Sequence, residues 1–147
     1  MVDVSAKPET LRQSLARGEV RMKPQTIRLI KDNRIAKGDV LAVAQVAGVN
    51  AAKRTDELIP MAHTLPLTGV RLEFGLDEKT GTLSIEATAS TVARTGVEME
   101  ALTAVSVAAL AIYDMCKAVD REMTIERVRL VSKSGGRSGN FRREGEA

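Results

Sequence analysis

The feature that most constrains this chain is the stretch from Val97 to Met123, "VEMEALTAVSVAALAIYDMCKAVDREM", which contains neither proline nor glycine. Nothing in it interrupts a helix, and Met99, Leu102, Ser106, Ala109, Tyr113 and Cys116 recur at three- and four-residue steps on one side. So long an apolar helix needs a broad surface to lie on. The preceding segment predicts one. Val70, Leu72, Phe74 and Leu76 alternate with Arg71, Glu73 and Gly75, and after "DEKTG" the pattern resumes as Leu83, Ile85, Ala87 and Ala89, a β-hairpin with one buried face.

The flanking segments complete the pattern. "EVRMK" (Glu19 to Lys23) reads as a short strand, and "KPQTIRLIKDN" as a short helix opened by Pro24 with Ile27 and Ile30 on one side. "KGDVLAVAQVAGVNAAKRTDELIP" predicts a long helix with Asp39 as N-cap, Val40, Val43, Ala47 and Ala51 facing inward, and Pro60 as its stop. "TIERVRLVSK" is a last strand. The resulting order, β-α-β-β-α-β, is that of an α+β split βαβ fold, an antiparallel sheet with both helices packed on one face and the other face in need of cover. A strongly apolar free face would imply oligomerisation.

Residues 1–147 are expected to form a single domain, with 1–18 as an N-terminal arm and 133–147 as a Gly/Ser/Arg-rich tail ordered only by a ligand or partner. Aromatic residues make up only 2% of the chain (Phe74, Tyr113 and Phe141), so the core must consist of small and aliphatic side chains. A lone Cys116 excludes an intrachain disulfide, and with a single histidine, His63, no Cys/His set stands at zinc-ligand spacing. No metal or cofactor is called for. The N-terminus lacks a basic start followed by an apolar run, and no segment reaches the ~20 apolar residues of a membrane span, so a cytoplasmic protein is expected. A net charge of +3 and a pI near 9.2 favour anionic partners, phosphate-bearing small molecules as readily as nucleic acid.

Among residues able to do chemistry, Glu100 and Asp114 fall within about 40° of one another around the long helix but roughly 21 Å apart along it. If both serve one site, the ligand is long or a second subunit contributes. Lys117, three positions after Asp114, can form an ordinary surface ion pair with it. The same spacing also suits a carboxylate that takes a proton beside an ammonium that steadies phosphate charge. His63 reads either as a satisfied histidine at a helix–strand junction or as a group presented by a connecting loop. In "KSGGRSG", adjacent glycines can turn backbone N–H groups toward an anion, with Lys133 and Arg137 adding charge, although neither the P-loop nor the dinucleotide fingerprint is matched.

Taken together, "MVDVSAK", "KGDV", "AAKRTDELIPMAH", "TGVEMEALTAVSVAALAIYDMCKA" and "VRLVSKSGGRSGNF" closely resemble the MoaC family of molybdenum cofactor biosynthesis over nearly the whole chain. The resemblance implies a ferredoxin-like fold assembled as a homohexamer, a trimer of dimers, with active sites at dimer interfaces. It implies conversion of 3′,8-cyclo-7,8-dihydro-GTP, supplied from GTP by a radical enzyme, into cyclic pyranopterin monophosphate with release of pyrophosphate, and no nucleic-acid or membrane partner. Matched position by position, Asp114 is the active-site aspartate and Lys117 its companion lysine. Met61, Ala62 and His63 match a substrate-binding loop, and Met99 and Glu100 a second binding segment. Glu98, Lys37, Lys53, Arg12 and Lys133 also match active-site positions, Lys37 and His63 being counted with the catalytic set. Where relatives read Cys-His-Pro, this chain has Ala62-His63-Thr64, which removes the backbone restriction of proline beside the imidazole.

Two other classes fit parts of the sequence. An RNA-binding module would use the basic tail and split βαβ order, but three aromatic residues are few for a sheet that stacks bases. A regulatory ligand-binding oligomer would use the same pocket without turnover.

Overall fold

The computed structural model describes residues 1–147. Five strands form one sheet: β1 (Thr10–Arg21), β2 (Leu67–Asp77), β3 (Thr82–Ala93), β4 (Thr124–Ser134) and the two-residue β5 (Phe141–Arg142). Four helices accompany them: α1 (Pro24–Lys31), α2 (Val40–Lys53), α3 (Thr55–Leu58) and α4 (Glu98–Cys116). The sheet order is β2-β3-β1-β4-β5, every adjacent pair is antiparallel, and α2 and α4 pack together on one face. This is the expected α+β architecture, with the first helical crossover divided into three pieces.

β1 begins well before the expected short strand, so only residues 1–9 precede the sheet. Its inward-facing positions are Arg12, Ser14, Ala16, Gly18 and Val20, a sequence in which alternation of side chains is regular but alternation of hydropathy is not. The hairpin follows its pattern, with Leu72, Leu83, Ile85, Ala87 and Ala89 buried.

α2 starts where expected, Asp39 accepting a hydrogen bond from the Ala42 N–H at 3.1 Å. Its inward face differs. Val40 and Ala51 are buried, but Ala44 and Gly48 face in where Val43 and Ala47 were expected, leaving Val43 41% exposed. The reason lies at Gly48. A Cβ there would fall 3.1 Å from the Ala104 carbonyl oxygen of α4 and closer still to Leu72, so only glycine permits this approach of the two helices.

α4 also corrects two expectations. It ends at Cys116 rather than near Met123, because the chain turns so that Asp120, almost fully buried, can accept hydrogen bonds from Lys23 N–H (2.9 Å) and the Thr26 hydroxyl (2.8 Å). Its buried face runs through Ala101, Ala104, Val105, Ala108, Ile112 and Met115 together with Ala109 and Cys116 of the expected side, whereas Met99 is exposed and Leu102, Ser106 and Tyr113 are only partly covered. An apolar helix with little contrast between its sides does not announce which side is inside. α4 is long and apolar enough to cross a bilayer, but just over half of it is buried inside the protein, where it packs against the sheet and α2.

The free sheet face is charged. Directly opposed residues on successive strands read Glu73, Glu86, Arg17 and Arg129 from β2 to β4. Exposed apolar side chains occur on both layers: Leu11 of β1 and Val92 of β3, directly opposed on the sheet, and Val43 and Val46 on α2 and Leu110 on α4.

Candidate active site

At the C-terminal end of α4, the last turn presents Asp114 to solvent, and two ammonium groups converge on its carboxylate. Lys117 Nζ lies 3.0 Å from Oδ1, and Lys37 Nζ lies 3.1 Å from Oδ2 and 3.0 Å from the Asp114 carbonyl oxygen. Lys37 arrives from the loop between α1 and α2, whose turn is completed by Gly38 at φ +121°. The hydrogen bond from Lys117, then that from Lys37, holds the Asp114 carboxyl below its ordinary pKa, so at neutral pH it is a carboxylate between two cations.

The N-terminal end of α4 carries a second cluster. Glu98 and Glu100 sit in the first turn, where the helix dipole favours negative charge. Glu98 pairs with Lys133 of β4 at 3.0 Å. Glu100 is 4% exposed, and its Oε2 is buried without any hydrogen-bond partner. Burial, reinforced by the negative charges of Glu98 and Asp56, pushes its pKa up to about 7.

Beside this cluster Arg12 is buried, its Nε–H donating to the Ala93 carbonyl at 3.0 Å. Gly135 and Gly136, both at positive φ, let the chain leaving β4 pass directly over it, and a Cβ at Gly136 would collide with the guanidinium. Lys7, Pro8, Arg137 and Ser138 complete a pocket of about 190 Å³ with no carboxylate in its wall. The tail is therefore ordered in part by the chain itself: Lys133 and Ser134 end β4, and Phe141 and Arg142 pair with it as β5.

The loop holding Met61, Ala62 and His63 follows α3. His63 Nε2–H donates to the Val2 carbonyl at 2.7 Å, which fixes the proton on that nitrogen in the neutral ring. Thr64, in place of proline, has its hydroxyl 2.7 Å from Asp56 Oδ2, so a side-chain hydrogen bond supplies a restraint that the backbone ring would otherwise give. Asp56 thereby links the loop to the surroundings of Glu100, a role without a sequence signal. Met61 and Met99 are exposed, as is Lys53 in the last turn of α2.

The structure thus groups the expected residues into two sets: Asp114, Lys117 and Lys37 at one end of α4, and Glu98, Glu100, Lys133 and Arg12 at the other. Sixteen helical positions separate Glu98 from Asp114, about 24 Å, and one chain does not bring the sets together. A concavity of about 790 Å³ lies mainly over strands and includes Lys133, Arg71 and Arg142 but neither Asp114 nor Glu100. Its walls are rich in serine and threonine and hold no carboxylate, so the two clusters carry the stronger case for chemistry. No group of three His, Cys, Asp or Glu side chains is disposed to hold a metal.

A sequence model of the MoaC family matches residues 1–136. The chain belongs to the MoaC family. It is 62% identical over 144 residues to the cyclic pyranopterin monophosphate synthase of Thermomicrobium roseum, an alignment covering 98% of this chain and 87% of that one. It is 62% identical over 141 residues to the protein of the same name from Roseiflexus sp., covering 96% and 89% of the two chains. With that of Heliobacterium modesticaldum the identity is 60% over 144 residues, covering 98% and 91%. The similarity to these MoaC-family proteins extends through both clusters of α4 and the loop bearing His63.

Proposed function

We propose that this MoaC-family chain is a cyclic pyranopterin monophosphate synthase that converts 3′,8-cyclo-7,8-dihydro-GTP into cyclic pyranopterin monophosphate and releases pyrophosphate. The observation that carries this reading is the Asp114 carboxylate held between Lys117 and Lys37. The reaction rebuilds rings around the base and closes a cyclic phosphate by attack of a sugar hydroxyl on the α-phosphate. Each part needs groups that accept and donate protons and cations near developing oxyanions.

Asp114, ionised because its pKa is lowered, is suited to accept a proton, while Lys117 and Lys37 offer compact positive charge beside it. Glu100, with a pKa of about 7, exists in both forms near neutrality and can donate or accept. Two carboxyls pushed in opposite directions give the pair of roles the chemistry requires. The pocket of Lys7, Arg12 and Arg137 suits the substrate's phosphates.

In this reading the functional unit is a homohexamer, a trimer of dimers, in which the Asp114 end of one subunit meets the Glu98 end of another. The 24 Å spacing along α4 and the exposed Val43, Val46 and Leu110 of the helical layer support it. The substrate comes from a radical enzyme acting on GTP, and the location is cytoplasmic. Single-turnover release of pyrophosphate from the purified cyclised substrate tests the assignment. Binding without release would leave a ligand-binding oligomer, and salt-dependent RNA binding without release would favour a nucleic-acid module.

A further inference from the structure

We infer that Glu146 is a positioning residue, clasped by Arg17 and Arg129 on the free face of the sheet, that holds the glycine loop 135–140 closed over Arg12. The inference rests on the reading of the Arg12 pocket as a phosphate site.

It starts from strand register. Arg17 of β1 and Arg129 of β4 are directly opposed, and like charges in that relationship repel. Glu86 satisfies Arg17 Nε at 2.7 Å but lies a strand further from Arg129. The row Glu73, Glu86, Arg17, Arg129 therefore ends on an uncompensated cation. The chain's own tail supplies the missing anion. Arg129 donates from Nε to Glu146 Oε1 at 2.6 Å and from Nη2 to Oε2 at 3.0 Å, a two-pronged grip, and Arg17 Nη1 reaches Oε2 at 2.8 Å. Arg17 Nη2 also reaches the Ala147 carbonyl at 3.1 Å. Only 8% of the Glu146 side chain is exposed.

This clasp governs a segment with few other restraints. From Ser134 the chain runs through Gly135, Gly136 and Gly139, all at positive φ, before returning as the two residues of β5. Arg143 then anchors to β4 through its N–H on the Val131 carbonyl and its Nε–H on the Leu130 carbonyl, both at 2.7 Å. A loop so rich in glycine loses much backbone freedom on closing, and a two-residue strand offsets little of that cost. Glu146 fixes the far end. What the fixed loop presents is Gly136 against the Arg12 guanidinium and Arg137 with Ser138 in the wall of the pocket.

The test is Glu146→Gln in the full chain, which keeps the shape and removes the charge, with Glu146→Asp as the conservative partner. Amide exchange in 135–142 should quicken by roughly tenfold while β1 and β3 are unchanged. The KM for the cyclised substrate should rise about 3- to 10-fold with kcat within about twofold, and Glu146→Asp should recover part of both effects. Unchanged exchange in 135–142, or a fall in kcat at constant KM, would overturn the inference. The exchange measurement needs no turnover. If the wild-type chain fails to release pyrophosphate while Glu146→Gln still quickens exchange in 135–142, the enzyme reading is refuted and the clasp stands.

Discussion

Lys37 Nζ stands 3.1 Å from Asp114 Oδ2, although 77 positions separate the two residues in the chain. With Lys117 on the other oxygen, the carboxylate is enclosed by charge but not by protein, for all three side chains remain about half exposed. An exposed triad contributes little to folding, so the role proposed for it toward a ligand can be tested apart from stability.

Asp114→Asn keeps the size of the side chain and removes its basicity. Single-turnover pyrophosphate release is expected to slow by roughly 10²- to 10⁴-fold, the usual cost of losing a general acid or base. Wild-type release in that variant would exclude proton transfer by Asp114.

Lys117→Ala and Lys37→Ala should each depress turnover and each let the Asp114 pKa climb toward its ordinary value, Lys117 having the larger effect because its hydrogen bond contributes most. Carboxyl titration by NMR measures the order. Melting temperature should stay nearly constant, since exposed pairs stabilise little; a lower melting temperature with unchanged turnover would return the pair to a purely structural role.

Glu100→Gln should alter stability in a pH-dependent way. Below about pH 4.5 both folded and unfolded Glu100 hold a proton and the substitution is nearly neutral. As pH rises to about 7 the unfolded chain releases its proton while the folded chain keeps it, so wild-type stability falls and the loss is complete above about 7. At about 1.4 kcal/mol per pH unit the full difference is on the order of 3 kcal/mol. Denaturant unfolding near pH 5 and near pH 8 checks it: the glutamine variant should be clearly the more stable only at the higher pH.

Mixing inactive Asp114→Asn subunits with inactive His63→Ala subunits, after dissociation and reassembly, should restore activity. If a site draws the two residues from different chains, some mixed dimers hold one doubly defective site and one intact site. A mixture that stays inactive despite proven subunit exchange would place both residues on one chain.

Much of the architecture was legible in the sequence because its signals are local. Pro24, Asp39 and the hairpin alternation act within a few residues, and each is found at its expected place. The misses have a common origin in contacts between distant segments. β1 is masked because the inward set includes Arg12 and Ser14; the end of α4 is decided by Asp120 reaching Lys23 and Thr26; and the inward side of α2 is decided by the fit of Gly48 against α4. The site divides similarly. Spacing alone brings Lys117 to Asp114, and the family resemblance supplies Lys37, but the convergence of Lys37 on Asp114 needs the fold. The clasp on Glu146 needs the register of two strands, which no local pattern reveals.

The alanine-rich layer between sheet and α4 has a mechanical consequence. Ala16, Ala87, Ala89, Ala104, Ala108 and Ala109 are wholly buried, and alanine has no rotamers to freeze, so ordering this layer costs about zero in side-chain entropy where leucine or isoleucine would cost roughly 0.5–1 kcal/mol each. The same lack of rotamers removes any way to absorb a larger neighbour by swinging a side chain aside. A bulky replacement in this layer must push on backbone, and the backbone it pushes is a lever with Glu98 at one tip and Asp114 at the other. Interior substitutions far from any ligand would then register first as misalignment at the two tips, before they register as unfolding.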